Sequence, residues 1–149
     1  MSLETQINEN IKTAMIAKDS VKLRGLRAIK AAILLAKTEK GHIEELTEEI
    51  EIKVLQKLAK QRKESAEIYK QQNRDDLFQI EIEELEVIEG FLPKQLDRSA
   101  IEDSVKLIIS ELGATSIKDM GKVIAEANKK LAGKADGRTI SEVVKSLLN

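Results

Sequence analysis

The chain has 149 residues, a net charge of −1 and no cysteine, which excludes disulfides, thiol nucleophiles and cysteine-ligated metal centres. Hydrophobic residues make up 42% of the sequence, and the single proline and seven glycines favour long helices over a turn-rich β-sandwich. The longest apolar run, residues 31–36, is too short to cross a membrane, and we see no basic-then-apolar signal segment. We therefore expect an all-α, cytoplasmic protein without a membrane partner.

Charge is distributed unevenly along the chain. Residues 1–40 hold eight Lys/Arg and four Asp/Glu, residues 41–90 hold seven and fourteen, and residues 91–149 hold ten and eight. The acidic middle therefore lies between two mildly basic ends. This pattern excludes a chain-wide nucleic-acid-binding charge but leaves a local basic face open.

Four helices are predicted in residues 1–92 from apolar residues spaced three or four apart. Their expected N-caps are Ser2, Asp19 or Ser20, Thr47, and Asp75 or Asp76. Their expected buried faces are Leu3, Ile7, Ile11, Ala14 and Met15; Leu23, Leu26, Ile29, Ile33 and Leu34; Ile50, Val54, Leu58 and Ile68 or Tyr69; and Leu77, Ile80 or Glu81, Leu85 and Ile88. The solvent side of the fourth helix is expected to carry Glu83, Glu84, Glu86 and Glu89.

Three glycines of this region have predicted structural roles. Gly41 and Gly90 are expected to end the second and fourth helices. Gly25 lies inside the second helix, where glycine costs about 1 kcal/mol relative to alanine, so we expect close backbone packing at this point.

Pro93, the only proline, disfavours helix at the residue before it, so we place a domain boundary between residues 1–92 and 93–149. Three short helices follow, and Gly113 and Gly133 are expected to end the first two. The expected capping boxes are Ser99 with Glu102, Ser116 with Asp119, and Thr139 with Glu142. The expected apolar faces are Ile101, Val105, Ile108 and Ile109; Ile117, Met120, Ile124, Ala127 and Leu131; and Ile140, Val143 or Val144, and Leu147. We therefore predict an N-terminal antiparallel domain of about four helices and a C-terminal three-helix bundle.

Recognisable reactive constellations are absent from the sequence. The Walker pattern fails because Val123 follows Gly121-Lys122, and no Gly-x-Gly-x-x-Gly occurs. His42 is the only histidine, which excludes a Ser–His–Asp triad and a His-based metal site, and we predict that it is a solvated turn residue. Helix-surface carboxylates are typical of a solvated face. We therefore predict no catalytic residue, metal or cofactor.

Basic residues are the remaining candidates for function. Lys53, Lys57 and Lys60 follow helical spacing and could line up along a phosphate backbone. Intrahelical ion pairs are the competing explanation, because a glutamate stands four residues from each of three lysines. These pairs are Glu49 with Lys53, Glu64 with Lys60, and Glu67 with Lys63.

A second group of cations, Arg24, Arg27 and Lys30, flanks the apolar face of the second helix. Arg27 could bury the stem of its side chain against the core. The predicted second basic patch combines this group with the third helix and comprises Arg27, Lys30, Lys60, Arg62 and Lys63.

The main candidate site lies in the C-terminal region. Free backbone N–H groups at a helix start, with Lys122, Lys134 and Arg138 nearby, suit a phosphate oxygen. Gly121 and Gly137 would let another backbone approach closely.

Helix capping is the alternative explanation for this segment. It accounts for Gly133 as a helix end and for Asp136 as a local cap. It accounts less well for Gly121 and Lys122, because neither improves a helix end.

These segments resemble the GatB/YqeY family, and the resemblance covers essentially the whole chain. The matching segments, in order, are Arg27 and Lys30; Lys60-Gln61-Arg62-Lys63-Glu64-Ser65; Asn73-Arg74-x-Asp76-Leu77; Glu81 and Glu84; Leu92-Pro93; Asp119-Met120-Gly121-Lys122-Val123; and Gly133-Lys134-Ala135-Asp136-Gly137. One departure is Ile124, where relatives often carry methionine, and both residues are apolar. The sequence is therefore identified as a stand-alone YqeY-like member of this family.

The resemblance implies kinship with the tail of the GatB subunit of the tRNA-dependent amidotransferase, a carbon–nitrogen ligase with glutamine as amido-N donor. It implies tRNA contact by that tail, whereas the glutaminase and phosphoryl-transfer chemistry lies in other domains, which this sequence lacks. We therefore expect an accessory module that binds tRNA or a tRNA-linked enzyme through C-terminal lysine and arginine side chains, without autonomous catalysis. A protein-interaction module, built on the acidic helix 81–89 and leftover apolar positions, is the first alternative, and participation in amide transfer is the second.

Overall fold

A computed structural model describes residues 2–39, 41 and 44–149, and within these residues it contains seven α-helices, one 3₁₀ turn and no strand. This confirms the predicted all-α fold class. The helices are α1 (Leu3–Ile16), α2 (Ser20–Glu39), α3 (Glu48–Gln71), α4 (Asp75–Glu89), α5 (Arg98–Leu112), α6 (Met120–Lys130) and α7 (Gly137–Leu148), with the 3₁₀ turn at Ile117–Asp119. His42, the predicted turn residue, lies outside the described residues.

The chain forms two compact units, Met1–Leu92 and Pro93–Asn149. The first contains α1–α4 and the second contains α5–α7. Each unit has its own hydrophobic core.

Three predicted caps open helices of the N-terminal unit. The hydroxyl oxygens of Ser2 and Thr47 accept backbone N–H groups at the starts of α1 and α3. Asp19 is the cap of α2, since its carboxylate accepts the Lys22 N–H at 3.1 Å. These short polar side chains satisfy N–H groups that have no partner within the helix.

The start of α4 differs from the prediction, because neither Asp75 nor Asp76 is its cap. Arg74 occupies the cap position and its side chain makes no capping bond. The chain turns one residue earlier, at Asn73, whose φ of 57° lies in the left-handed region. The two aspartates therefore lie in the first turn, where their charge complements the helix dipole.

The core of the N-terminal unit consists of Leu3, Ile7, Ala14, Leu26, Ile29, Ile33, Leu55, Ala59 and Ile88. The predicted faces of α1 and α2 contribute most of it; Ile11 and Leu23 are half-buried against it, and two predicted members are exposed. Met15 is 55% exposed and Leu34 is 47% exposed, because each lies beside the buried stripe of its helix and not within it.

Helix α3 buries a different face from the one predicted. Its buried residues are Leu55, Ala59 and Ala66, whereas Val54 and Leu58 are only half-buried. The reason is the packing of α3 chiefly against α4, where small alanines allow the two helices to approach closely. Glu84 of α4, predicted to face solvent, is buried at this contact.

Gly25 confirms the prediction of close backbone packing. A Cβ atom added to Gly25 would lie 2.7 Å from Cβ of Val87 in α4. No side chain larger than hydrogen fits at this crossing without moving the helices apart.

Two helices of the C-terminal unit begin earlier than predicted. Asp97 caps α5 and accepts the Ala100 N–H at 2.8 Å, and Asp136 caps α7 and accepts the Thr139 N–H at 2.9 Å. The boxes predicted from Ser99 and Thr139 therefore lie inside the helices. Each helix begins directly after the upstream aspartate, because that aspartate can cap the helix and an earlier start adds backbone hydrogen bonds.

The remaining predicted capping box, Ser116 with Asp119, forms a 3₁₀ turn. Ser116 accepts the Lys118 N–H, and the Asp119 carboxylate accepts the Thr115 N–H at 3.1 Å.

The predicted end of α5 is confirmed, since Gly113 is its C-cap with a φ of 65°. Helix α6 ends earlier than predicted, at Lys130 with Leu131 as its cap, and Gly133, with a φ of 78°, lies two residues beyond that cap.

The C-terminal core consists of Ile101, Val105, Ile108, Val123, Ala127, Leu131, Ile140, Val143, Val144 and Leu148. Val123 replaces the predicted Ile117, which is 45% exposed. Ile117 belongs to the 3₁₀ turn, so it does not continue the apolar stripe of α6.

Candidate nucleic-acid interface

The five residues of the main candidate site lie on three consecutive segments of the C-terminal unit. Gly121 and Lys122 lie in the first turn of α6, Lys134 lies in the following loop, and Gly137 and Arg138 begin α7. All five are exposed.

The solvent face of α6 carries small side chains and lysines. Gly121, Lys122, Ala125, Asn128 and Lys129 are all exposed on this helix. A Cβ atom added to Gly121 would meet nothing within 4 Å. Gly121, Ala125 and Asn128 follow helical spacing, so small side chains form one row with lysines beside it.

The start of α7 lies next to this row. A Cβ atom added to Gly137 would lie 3.9 Å from Oδ1 of Asn128, which is ordinary contact. Asn128 is seven residues after Gly121, roughly 10 Å along the same side of the helix. The structure therefore connects Gly137 with the α6 row, and neither Gly121 nor Gly137 has a positive φ or a crowded neighbour that would require glycine.

The three cations of the site differ in their partners. Nε of Arg138 lies 3.4 Å from Glu142 on the next turn, although the Arg138 side chain remains 77% exposed. Neither Lys122 nor Lys134 has a carboxylate within 4 Å among the described residues. The lysines are therefore the cations most available to a ligand.

The structure describes every residue of the C-terminal unit, and the charge balance of the whole unit also indicates that its lysines are available to a ligand. Every carboxylate except Asp103 caps a helix or turn, or pairs with Arg98, Lys130 or Arg138. Seven lysines lack a carboxylate within 4 Å: Lys94, Lys106, Lys118, Lys122, Lys129, Lys134 and Lys145. The unpaired side-chain charge is therefore mostly positive.

The second basic patch is divided by the structure, because Arg62 has an internal role. Nη1 of Arg62 donates to Oε2 of Glu84 at 2.8 Å, and Nε lies 3.4 Å from Oε2 of Glu81. The Arg62 side chain is only 25% exposed. Arg62 therefore connects α3 to α4 and directs its guanidinium away from a ligand in solvent.

Glu84 joins this contact to α2. Its other carboxylate oxygen lies 3.2 Å from Nε of Arg24, and Nη2 of Arg24 donates to Glu83 at 2.8 Å. The buried Nε atoms of both arginines and Oε2 of Glu81 make no hydrogen bond of good geometry, so those contacts are Coulombic. One buried carboxylate thus ties together three helices.

The remaining members of the second patch are open to solvent to different degrees. Arg27, Lys60 and Lys63 are exposed and Lys30 is half-buried, so the predicted burial of the Arg27 stem is not seen. The predicted pair of Lys53 with Glu49 forms at 3.2 Å. Those predicted for Lys60 and Lys63 do not form within 4 Å, which leaves both lysines unpaired within the described residues.

Arg74 and Asp76 form an exposed clamp at the start of α4. Nε and Nη2 of Arg74 donate to the two carboxylate oxygens of Asp76 at 3.2 and 3.1 Å. This hydrogen bonding lowers the pKa of Asp76 and raises that of Arg74. The clamp explains the Arg-x-Asp spacing of this motif as a local structural feature.

A signal in the sequence distinguishes these two kinds of cation. Arginine presents a planar fork of donors that suits buried carboxylates, whereas lysine is a strongly hydrated point charge. Arg24, Arg62, Arg74, Arg98 and Arg138 all pair with carboxylates, and Arg27 is the exception within the described residues. The presence of an arginine within an otherwise lysine-rich segment is therefore the sequence feature that could have indicated an internal role for Arg62.

Among the described residues, no helix is both long and apolar enough to span a membrane. The same residues contain no group of three or more histidine, aspartate or glutamate side chains placed to hold a metal ion.

Comparison with known proteins assigns the family. The model of the family described as Yqey-like protein matches residues 4–148. Two similar proteins carry the name altered inheritance of mitochondria protein 41, mitochondrial. The one from Clavispora lusitaniae is 32% identical over 136 residues, which cover 88% of this chain and 77% of that protein. The one from Meyerozyma guilliermondii is 31% identical over 132 residues, covering 82% and 68%. The chain belongs to the YqeY-like protein family.

Proposed function

We propose that this YqeY-like protein is an accessory module that binds tRNA through phosphate contacts of its C-terminal unit. The observation that carries the proposal is the excess of unpaired lysines in that unit, with Lys122 beside the open backbone of Gly121. Lysine supplies strong phosphate contacts, and a surface without bulky side chains lets a nucleic-acid backbone approach.

The scarcity of aromatic residues limits the mode of recognition. The only aromatic residues are Tyr69, Phe78 and Phe91, and all are half-buried in the N-terminal unit. Bases stacked on aromatic rings are therefore not part of the proposed interface. Contacts to phosphates and to the shape of a folded, helical RNA remain, which suits tRNA.

The proposed role is binding without chemical transformation. The resemblance to the amidotransferase tail supports it, because the tail lies apart from the catalytic domains. Formation of amidated tRNA by the isolated chain, supplied with glutamine and charged tRNA, would overturn this part of the proposal. The cytoplasmic location stays a prediction for this chain, whereas the names of the two similar proteins refer to mitochondria.

The test is the affinity of the full chain for a tRNA transcript, measured by fluorescence anisotropy over a range of salt concentrations. We expect Lys122→Glu to weaken binding and to reduce the slope of log K against log salt by about one, because one phosphate contact is lost. Lys106→Glu is the matched control, since Lys106 is an exposed, unpaired lysine of the same unit but lies in α5, away in sequence from the proposed contact residues Lys122, Lys134 and Arg138. Equal losses in the two variants, or no tRNA binding at low salt, would contradict the proposal.

A further inference from the structure

An open apolar groove runs between α2 and α3 in the N-terminal unit. Ala32 and Ala36 line it from α2, and Val54 and Leu58 line it from α3. Two adjoining cavities of about 120 and 250 Å³ share Ala36 and Val54, and Ile50 extends the second. The groove is therefore an elongated hydrophobic feature parallel to the two helices.

The groove is open because of the residues that α2 directs towards it. Ala28, Ala32 and Ala36 follow one face of α2 at intervals of four residues, and all are half-buried. Alanine ends at Cβ, so this face cannot fill the space opposite Val54 and Leu58. Since α3 directs its other apolar row towards α4, the described residues leave the row predicted to be its core face incompletely covered.

Cations border the groove on the α3 side. Lys53 and Lys57 line it, and Lys60 continues the same row one turn later. Lys57 and Lys60 have no carboxylate within 4 Å among the described residues, whereas Lys53 pairs with Glu49 in an exposed and therefore weak contact. The α2 side contributes one acid, Glu39, and the 60% exposed Leu35.

We infer that this groove binds an amphipathic helix of a partner protein, with bulky apolar residues facing the alanines and acidic residues facing the α3 lysines. The groove follows α3 from Ile50 to Gln61, roughly 16 Å or three helical turns. Apolar anchors at positions i, i+3 or i+4, and i+7 of a bound helix match this length. The surface lies in the N-terminal unit, so the inference does not depend on tRNA binding.

The experiment uses two fluorescein-labelled model peptides of about 16 residues with leucines at this helical spacing. One carries glutamates on the flank and the other carries lysines at the same positions. With the full chain, we expect the glutamate peptide to bind at least about tenfold more tightly than the lysine peptide. Lys57→Glu is expected to weaken its binding about fivefold, since an exposed ion pair is replaced by repulsion.

The groove itself is tested with Leu35→Glu. We expect this substitution to weaken binding of the glutamate peptide about tenfold or more, because an apolar contact is lost. Leu107→Glu is the control, because Leu107 is 61% exposed in α5 of the C-terminal unit and should leave peptide binding unchanged. Helical circular dichroism confirms that each variant is folded. If Leu35→Glu is misfolded, Lys57→Glu and the comparison of the two peptides decide the matter.

Several outcomes would overturn the inference. They are absence of binding, equal binding of the two peptides, and equal losses in Leu35→Glu and Leu107→Glu. Sedimentation showing a dimer that Leu35→Glu dissociates would assign the groove to a second copy of the chain instead. Lys122→Glu should leave peptide binding intact, so failure of the tRNA proposal and failure of this inference are distinguishable.

Discussion

Replacing Gly25 by alanine sets helix propensity against packing, and the structure indicates which effect is larger. Alanine in place of a mid-helix glycine stabilises a helix by about 1 kcal/mol when nothing obstructs the new methyl group. At Gly25 the new Cβ would lie 2.7 Å from Cβ of Val87 and 2.9 Å from each of its Cγ atoms. The obstructing Cβ is attached directly to the backbone of α4, so no side-chain rotation removes it.

The expected magnitude follows from the displacement required. Carbon atoms reach ordinary contact at about 3.5–4.0 Å, so α2 and α4 must separate by about 1 Å. Overpacking of this kind costs about 1–3 kcal/mol. The separation would also stretch the contacts of Arg24 with Glu83 and Glu84, which join the same two helices. Set against the gain of about 1 kcal/mol in helix propensity, this cost predicts that Gly25→Ala lowers the free energy of unfolding by up to about 2 kcal/mol.

Urea unfolding followed by tyrosine fluorescence measures this effect in the appropriate unit. Tyr69 is the only tyrosine and lies in α3, and the chain has no tryptophan, so the signal reports on the N-terminal unit. The matched control is Gly121→Ala in α6, where the new Cβ meets nothing within 4 Å. There, circular dichroism should show unchanged or slightly increased stability, while tRNA affinity falls if an RNA backbone approaches Gly121. Stability equal to or above wild type in Gly25→Ala would refute the packing argument.

Three further predictions concern side-chain contacts. Glu84→Gln should lower the free energy of unfolding by about 2 kcal/mol in the same urea assay, since it removes the charge shared by two partly exposed arginines, whereas the exposed Glu86→Gln should change it little. Arg74→Gln should raise the pKa of Asp76 in an NMR titration. Because that pKa is lowered in the folded state, the contact contributes stability above the ordinary carboxyl pKa and loses it as pH falls through the folded value; an unchanged pKa would contradict the assignment. Asp136→Ala should cost about 1 kcal/mol, read from the thermal unfolding of α7 by circular dichroism, and no loss would show that the cap is dispensable.

The helices were predictable because their signals are local. Ser2 and Thr47 mark helix starts, and Gly113 marks a helix end, through interactions within a few residues of the chain. The predicted starts of α5 and α7 failed for an equally local reason. Ser or Thr followed by glutamate satisfies the capping-box pattern, but Asp97 and Asp136 offer an acceptor earlier, and the pattern does not rank competing caps.

The buried face of α3 was not predictable by the same means. Its sequence contains two apolar rows, and periodicity favours the one with the larger side chains, Val54 and Leu58. The fold instead buries Leu55, Ala59 and Ala66 against α4, where Arg62 continues the row and meets the carboxylate of Glu84. The choice between the rows depends on the partner helix, with contacts such as that of Arg62 with Glu84, 22 residues apart, which are not encoded in the period of α3 itself.

Sequence alone also does not show which cations of this chain form a surface that a ligand can reach. Clusters of cations in the sequence are ambiguous, because Arg62 lies between Lys60 and Lys63 yet has a different role. An arginine drawn into a network of carboxylates adds to the cluster but not to the surface available to a phosphate. Lysines without partners, such as Lys122 and Lys134, retain their full charge for a ligand and give up no internal contact on binding. The excess of unpaired lysines over unpaired carboxylates in the C-terminal unit, and not the density of positive charge along the sequence, is therefore the physical reason to place the proposed RNA contacts there.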